Sequence, residues 1–138
     1  MEHMRLESDS IGKKDVPAGA FYGVQSLRAM ENFSITGLKM RREMICALAV
    51  LKKACAIANR KAGMLEPAIA NAIEAACDDI FEGQYHDQFI VDPIQGGAGT
   101  SMNMNINEVV ANVAIAKLGG TPSLALPRCG GCSDGKRW

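Results

Sequence analysis

The sequence lacks the features that mark a secreted, membrane-spanning or nucleic-acid-binding protein. No segment approaches the roughly 18 uninterrupted apolar residues that a membrane span needs. The N-terminus, "MEHMRLESDS", lacks the apolar core of a secretory signal. Fifteen basic and fifteen acidic residues cancel, so no basic excess attracts nucleic acid or an anionic membrane. These absences predict a cytoplasmic protein with neither nucleic acid nor a membrane as its partner.

Cysteine and histidine are too few and too scattered to predict a metal site. A structural zinc ion needs four ligands, whereas "CGGC" at 129–132 stands alone and both histidines lie far from it. The other cysteines fall within apolar helical patterns, where reduced cysteine behaves as a small core residue: Cys46, Cys55 and Cys77. We therefore predict no metal site and a surface or turn position for His86. A zinc or redox role for "CGGC" stays open as an alternative.

The spacing of the apolar residues predicts a mainly α-helical protein. Residues 1–40 are punctuated by glycine, which favours short strands and turns, with a helical turn near Gln25 to Asn32. From about Arg41 to Ala62, apolar residues recur every three or four positions, as in an amphipathic helix. This stripe consists of Met44, Leu48, Leu51, Cys55 and Ala58.

A second helix is predicted to complete a hairpin with the first. Gly63 suits a helix end, and Pro67 suits the first turn of the next helix. The helical period then continues up to Gly83 through Ile69, Ile73, Ala76, Cys77, Ile80 and Phe81. Two helices joined by a short turn predict an antiparallel pair. Residues 89–91, "FIV", predict a brief buried extended run.

Residues 95–112, "QGGAGTSMNMNINEVVAN", place glycines and hydroxyls directly before a third helix. The apolar face of this helix consists of Met102, Ile106, Val109, Val110 and Val113. Asn103 and Asn107 share another face, four residues apart. Glycine lets backbone amides approach a ligand closely, and the first amides of a helix have no intrahelical partner. The pattern therefore indicates an anion-binding helix start.

The residues missing from "GGAGTS" argue against a nucleotide phosphate as the anion. A P-loop requires lysine, and a dinucleotide fingerprint requires a spacing that "GGAGTS" does not supply. A small carboxylate, bound by Thr100, Ser101 and Asn103, fits these residues better. The alternative is structural: the glycines make a tight turn, and Thr100 or Ser101 merely caps the helix.

The segment "DQFIVDPIQGGAGTSMNMNINEVVAN" closely resembles the first signature region of the aspartase/fumarase superfamily. Upstream, "VPAGAFYGVQSLRAMENF" is similar to the N-terminal segment of that family, and "VLKKACAIAN" to its next helix. The resemblance extends from about Arg5 to Gly120. It implies the family's N-terminal domain over residues 1–120, with short strands and turns before a helical hairpin and a third helix. Residues 121–138 do not match the family and are expected to be a disordered tail.

The resemblance implies a reversible anti elimination of ammonia from L-aspartate to give fumarate, without a cofactor, in a homotetramer. "QGGAGTS" followed by "MNMN" is similar to the aspartase form, whereas fumarases tend toward "GSGTQSNMN". On matching positions, Thr100 is implied as a substrate-contacting hydroxyl, and Ser101 and Asn103 as members of the surrounding network. Arg28, in "SLRAMENF", is expected either near a substrate carboxylate or in a structural ion pair.

The sequence also departs from the family pattern. Family members continue for several hundred more residues, and this chain has neither their Thr-His signature nor the "GSSxMPxKxN" loop that supplies the general base. The truncated chain is therefore expected to be inactive alone, because absent groups cannot transfer protons. A frameshift or an expression artefact would explain the tail. Two other functions stay open: a fumarase-type lyase of four-carbon dicarboxylates, and a non-catalytic helical module that binds carboxylates.

Overall fold

The computed structural model describes residues 3–121, and its first two elements form an antiparallel hairpin. Strand β1 (Met4–Ser8) pairs with β2 (Lys13–Pro17). Gly12, in the connecting turn, has a φ of 142°, which glycine adopts without a steric penalty. The short strands and turns expected for this part of the chain are confirmed. "CGGC" and all but the first residue of the predicted tail lie outside the described residues.

Helix α1 (Val24–Asn32) confirms the helical segment expected near its position. Gly23 is the N-cap residue and carries no side chain that could accept a hydrogen bond from the first amides of the helix. Val24 is fully buried and packs with Val16 and Ala20 in a small apolar cluster. The helix also packs against the last helix of the chain.

Helices α2 (Arg42–Lys61) and α3 (Pro67–Glu82) form the expected antiparallel hairpin. Their side-chain contacts run in opposite directions along the two helices: Cys46 with the Phe81 carbonyl, Lys53 with Asp78, and Arg60 with Glu74. Gly83 ends α3 in the left-handed conformation with a φ of 109°. This is the C-terminal stop that glycine provides.

The buried face of α2 differs from the stripe expected from the sequence. Met44 and Leu51 are 47% and 54% exposed. The residues that are buried lie one position further along the chain: Ile45, Ala49, Lys52 and Ala56. The predicted stripe was wrong at Met44, Leu51 and Ala58, which are exposed, whereas Leu48 is partly buried and packs against the core. The helix carries two adjacent apolar stripes, and periodicity alone does not tell which one packs. The packed stripe includes a lysine, which sequence periodicity counts against burial.

Helix α4 (Thr100–Lys117) lies at the centre of the fold and contacts α1, α2 and α3. Its expected apolar face is confirmed by the burial of Ile106, Val109, Val110 and Val113. Its other faces are also largely buried, and there the buried residues are polar: Asn105, Glu108 and Asn112. A helix surrounded by protein needs a partner for each such polar group.

The segment between α3 and α4 is buried but is not a strand. Phe89 and Val91 are each 1% exposed, as expected. The Ile90 and Val91 amides donate to the Asn105 side-chain oxygen, at 3.0 and 3.5 Å, instead of to a neighbouring strand. The extended run therefore finds its partners in a helix side chain. Before it, His86 begins a short 3₁₀ turn and is half-buried, with its Nε2 2.7 Å from the Ile80 carbonyl.

Between residues 3 and 121, no helix combines the length and the apolar character needed to cross a membrane.

Candidate functional site

A cavity of about 260 Å³ lies where the β1–β2 turn, α1 and the start of α4 meet. Its walls are formed by Asp9, Ser10 and Ile11 from the turn, by Gln25, Arg28, Ala29, Asn32 and Phe33 from α1 and its end, and by Thr100, Ser101 and Met104 from α4. Three residues singled out from the sequence, Arg28, Thr100 and Ser101, are therefore brought together. Asn103 is not part of the wall.

The start of α4 leaves backbone donors available on the cavity wall. Gly99 is the N-cap residue, with a φ of 76° and no capping side-chain hydrogen bond. The first intrahelical bond runs from the Asn103 amide to the Gly99 carbonyl, so the Thr100 and Ser101 amides have no intrahelical partner. Because neither hydroxyl caps the helix, the capping alternative considered for Thr100 and Ser101 is wrong. Amides and hydroxyls together form a partly positive helix start that favours an anion.

The glycine-rich loop before α4 has a structural reason of its own. A Cβ atom placed on Gly96 would lie 2.9 Å from Cε1 of Phe33, so glycine lets the loop pack against this ring. The Gln95 side chain donates to the Asp92 carbonyl at 2.7 Å and accepts from the Met102 amide at 3.4 Å. The loop is thus fixed on both sides of the turn that leads into Thr100.

Arg28 takes part in an ion pair on the cavity wall. Its Nε donates to Oδ2 of Asp9 at 2.9 Å, and its Nη2 donates to the Gly12 carbonyl at 3.2 Å. Burial raises the pKa of the Asp9 carboxyl, but hydrogen bonds from the Ile11 and Gly12 amides and from Arg28 hold it below its usual value. The structural ion pair expected as one alternative is therefore present. It fixes the guanidinium beside the cavity.

Asn103 contacts α2 and not the cavity. Its side-chain oxygen accepts a hydrogen bond from Nζ of Lys52 at 2.7 Å. Lys52 is 8% exposed, and burial lowers the pKa of its amine. On the same face of α4, both polar atoms of the Asn107 amide are buried without a hydrogen-bond partner among the described residues. The first asparagine of "NMN" thus supports the packing of α2 on α4.

Glu108 is a second buried charge that connects two helices. It is 3% exposed, and its carboxylate accepts hydrogen bonds from the amides of Gly23, Gln25 and Ser26 at 2.9–3.0 Å. The Ser26 hydroxyl donates to it as well. Burial raises the pKa of the Glu108 carboxyl above its ordinary value, and the bonds from Ser26, Gln25 and Gly23 oppose that rise. The acidic side chain of α4 therefore binds the beginning of α1.

Sequence reasoning missed both Lys52 and Glu108. Lys52 lies among the apolar residues of α2, and Glu108 follows "NIN" in a helix with few exposed positions. In each case the available signal was a charged residue with apolar residues one turn before and one turn after it on its helix, and such a residue is rarely buried without a partner. The identity of that partner depends on the tertiary structure, so spacing did not reveal it.

Among residues 3–121, no three histidine, cysteine, aspartate or glutamate side chains lie close enough together to bind a metal ion. The cavity is instead lined by hydrogen-bond donors that suit a carboxylate, and these donors come from the start of α4 and from Arg28.

Comparison with known proteins shows extensive similarity to lyases. A family model described as lyase matches residues 12–125. The chain is 57% identical over 115 residues to an aspartate ammonia-lyase of Bacillus subtilis (strain 168), which covers 83% of the chain and 24% of the relative. It is 50% identical over 118 residues to a class II fumarate hydratase of Halobacterium salinarum, covering 86% and 25% respectively.

The solved structures give the same result for the fold. The structure of a fumarate lyase:delta crystallin from Brucella melitensis superposes with a TM-score of 0.85 at 48% identity, covering 87% of this chain and 26% of that one. The chain therefore spans about a quarter of the length of the curated relatives that it matches.

Proposed function

Because the chain belongs to the aspartase/fumarase superfamily of lyases, we propose that it forms the N-terminal substrate-binding segment of an aspartate ammonia-lyase. That enzyme would eliminate ammonia reversibly from L-aspartate to give fumarate. The observation that carries this proposal is the cavity at the start of α4, where Thr100 and Ser101 face Arg28 across one space. The similarity to aspartate ammonia-lyases, at 57% identity in one case, supports the choice of substrate.

The described residues would act by binding one carboxylate of the substrate. In the elimination, removal of the Cβ proton creates negative charge on the adjacent carboxylate. Thr100 and Ser101 line the cavity, and their hydroxyls and amides would stabilise that charge by electrostatic preorganisation. Arg28, held by its ion pair with Asp9, would add guanidinium N–H donors to the cavity wall, although the Asp9 carboxylate offsets its charge.

The same proposal includes the inactivity of the 138-residue chain by itself. The sequence has no loop of the "GSSxMPxKxN" type, so no serine stands in the context that supplies the general base in the family. Without a positioned base, the proton-transfer contribution of about 10²–10⁴-fold is lost, as are the other donors of the complete site. Fumarate formation from L-aspartate by the purified chain, followed by ultraviolet absorbance, would overturn this part of the proposal.

Substitution of the cavity hydroxyl tests the binding site directly. Thr100→Val keeps the shape of the side chain and removes the hydroxyl, so we expect fumarate to bind about fivefold to tenfold more weakly in isothermal titration calorimetry. Thr121→Val is the matched control, because Thr121 is exposed and does not line the cavity. Equal affinities for the wild-type chain and the Thr100 variant would show that the cavity is not the binding site.

A fumarase-type function is the second candidate, and the 50% identity to a class II fumarate hydratase favours it. The two functions differ in the group that leaves, an ammonium or a hydroxyl. Competition of L-aspartate and L-malate against bound fumarate separates them: stronger competition by aspartate supports the ammonia-lyase, and stronger competition by malate supports the hydratase.

The non-catalytic alternative requires binding without any turnover even when the remaining lyase segments are restored.

A further inference from the structure

The first amides of α1 are bound by carboxylates from other elements. Glu108 of α4 accepts from Gly23, Gln25 and Ser26, and Glu7 of β1 accepts from Val24 at 2.9 Å. Four consecutive backbone donors, which a helix start leaves without intrahelical partners, are thus satisfied by two buried acidic side chains. Negative charge at this end of a helix is also favoured by the helix dipole.

Glu108 lies on the same helix as one wall of the cavity. It follows Ser101 by seven residues, two turns along α4, so both side chains lie on the same face of that helix. Ser101 is part of the cavity wall, whereas Glu108 is not. The helix that Glu108 binds, α1, supplies the opposite wall through Gln25 and Arg28.

We propose that Glu108 is a positioning residue, which sets the distance between the two walls of the carboxylate cavity by fixing the first turn of α1 on α4. This inference rests on the proposed function of the cavity. Through Glu108, the orientation of Arg28 is coupled to the helix whose first turn carries Thr100 and Ser101. Glu108 itself does not contact the ligand.

A neighbouring interaction supports this reading of the interface. One turn further along α4, the Asn112 side chain donates to the Phe21 carbonyl at 2.8 Å. Two polar side chains from one face of α4 therefore bind the chain where it enters α1: Asn112 binds the Phe21 carbonyl, and Glu108 binds the first amides of the helix. Carboxylate bonds to amides are stronger than neutral ones, so Glu108 contributes most of this restraint.

The first experiment measures fumarate affinity of the complete 138-residue chain by calorimetry. Glu108→Gln retains the size of the side chain but replaces one acceptor oxygen with an NH₂ group that faces amide donors, so we expect the Kd to rise about tenfold. Val109→Ala is the matched control: it removes buried apolar volume from the next position of α4 but none of the hydrogen bonds that α4 makes to the first amides of α1. An equal rise in Kd for both variants would overturn the proposal.

A double-mutant cycle distinguishes positioning from general destabilisation. If Glu108 acts through the helix that carries Arg28, then in an Arg28→Ala background the Glu108→Gln change should alter the Kd by no more than about twofold. The effect of Val109→Ala should stay the same in both backgrounds. A full, additive effect of Glu108→Gln in the Arg28→Ala background would contradict the inference.

If the wild-type chain does not bind fumarate, the proposed function is refuted but the positioning role of Glu108 is not. A second measurement then tests that role without a ligand. Arg28 Nε–H, which donates to Asp9, gives its own NMR signal, and so do the Gly23, Gln25 and Ser26 amides. Glu108→Gln should accelerate hydrogen exchange at all of them, whereas Val109→Ala, compared at matched global stability, should not. Unchanged exchange at Arg28 in the Glu108 variant would show that Glu108 does not position this side chain.

Discussion

Asp92 connects the loop between α1 and α2 to the segment that precedes the glycine-rich turn. Its carboxylate is 5% exposed and accepts from the amides of Thr36, Gly37 and Ile94 at 2.7–3.0 Å, and from the Thr36 hydroxyl. Burial raises the pKa of this carboxyl, but the hydrogen bonds from Ile94, Thr36 and Gly37 lower it from 3.8 to about 2. The ionised form is therefore the one that the folded chain stabilises.

This lowered pKa predicts how the stability of the folded chain changes as the pH falls. Stability from Asp92 is fully present above pH 3.8, and it is lost as the pH falls from there through about 2, because the unfolded chain then binds the proton more readily. Asp92→Asn should lower the free energy of unfolding at pH 7 and flatten its decline between pH 4 and 2. Urea titrations across this range provide the measurement.

The control for this residue is Asp15→Asn, since Asp15 is exposed on β2 and makes none of these bonds. It should leave both the stability at pH 7 and the acid decline close to those of the wild-type chain. Identical acid curves for the Asp92 variant and the wild type would mean that another carboxyl controls the response.

At the scale of the element, the start of α4 depends on the conformation of one glycine. Gly99 has a φ of 76°, where an L side chain clashes with its own backbone. Gly99→Ala should therefore destabilise the chain by about 1–2 kcal/mol. The midpoint of urea unfolding measures this change.

Gly97→Ala is the matched comparison within the same loop. Its φ is not in the left-handed region, and an added Cβ would meet no atom within 4 Å. We expect a change within about 0.5 kcal/mol of zero, as for ordinary surface substitutions. A loss of stability as large as that of Gly99→Ala would show that loop flexibility, and not the left-handed N-cap, explains the glycines.

The sequence pattern predicted where the helices begin and end better than it predicted which face of each helix is buried. The α2–α3 hairpin, Pro67 in the first turn and Gly83 at the end depend on local chemistry, so they were predictable. The buried face of α2 was not, because it depends on which neighbour supplies a partner for Lys52. Likewise, the motif indicated donors at Thr100 and Ser101, but the role of Asn103 depended on the packing of α2 against α4.

At the scale of the whole molecule, an apolar stripe on α2 is left uncovered by the described residues. It includes the exposed members of the stripe predicted from periodicity, which are Met44, Leu51 and Ala58, and the exposed residues Ala47 and Ala54 lie beside them on the helix. Contiguous exposed apolar surface promotes association. We therefore expect sedimentation velocity to show concentration-dependent association of the chain.

A charge in the middle of this stripe tests the cause of the association. Leu51→Lys should shift the chain toward the monomer, because burying an ammonium in the contact is costly. Leu6→Lys, at a residue that is 62% exposed on β1, should leave association unchanged. A chain that stays monomeric at every concentration would contradict the prediction, and so would equal effects of the two lysines.

The most direct test of the central claim is a fumarate titration of the ¹⁵N-labelled chain, followed by NMR. If the cavity between α1 and α4 binds the dicarboxylate, then the amides of Thr100 and Ser101 and the Nε–H of Arg28 should shift together with one saturation curve. Amides of the β1–β2 ladder away from the cavity, such as Leu6, should remain in place. Shifts that never saturate, or that occur elsewhere while Thr100 and Ser101 stay unchanged, would contradict the assignment of this cavity as the substrate site.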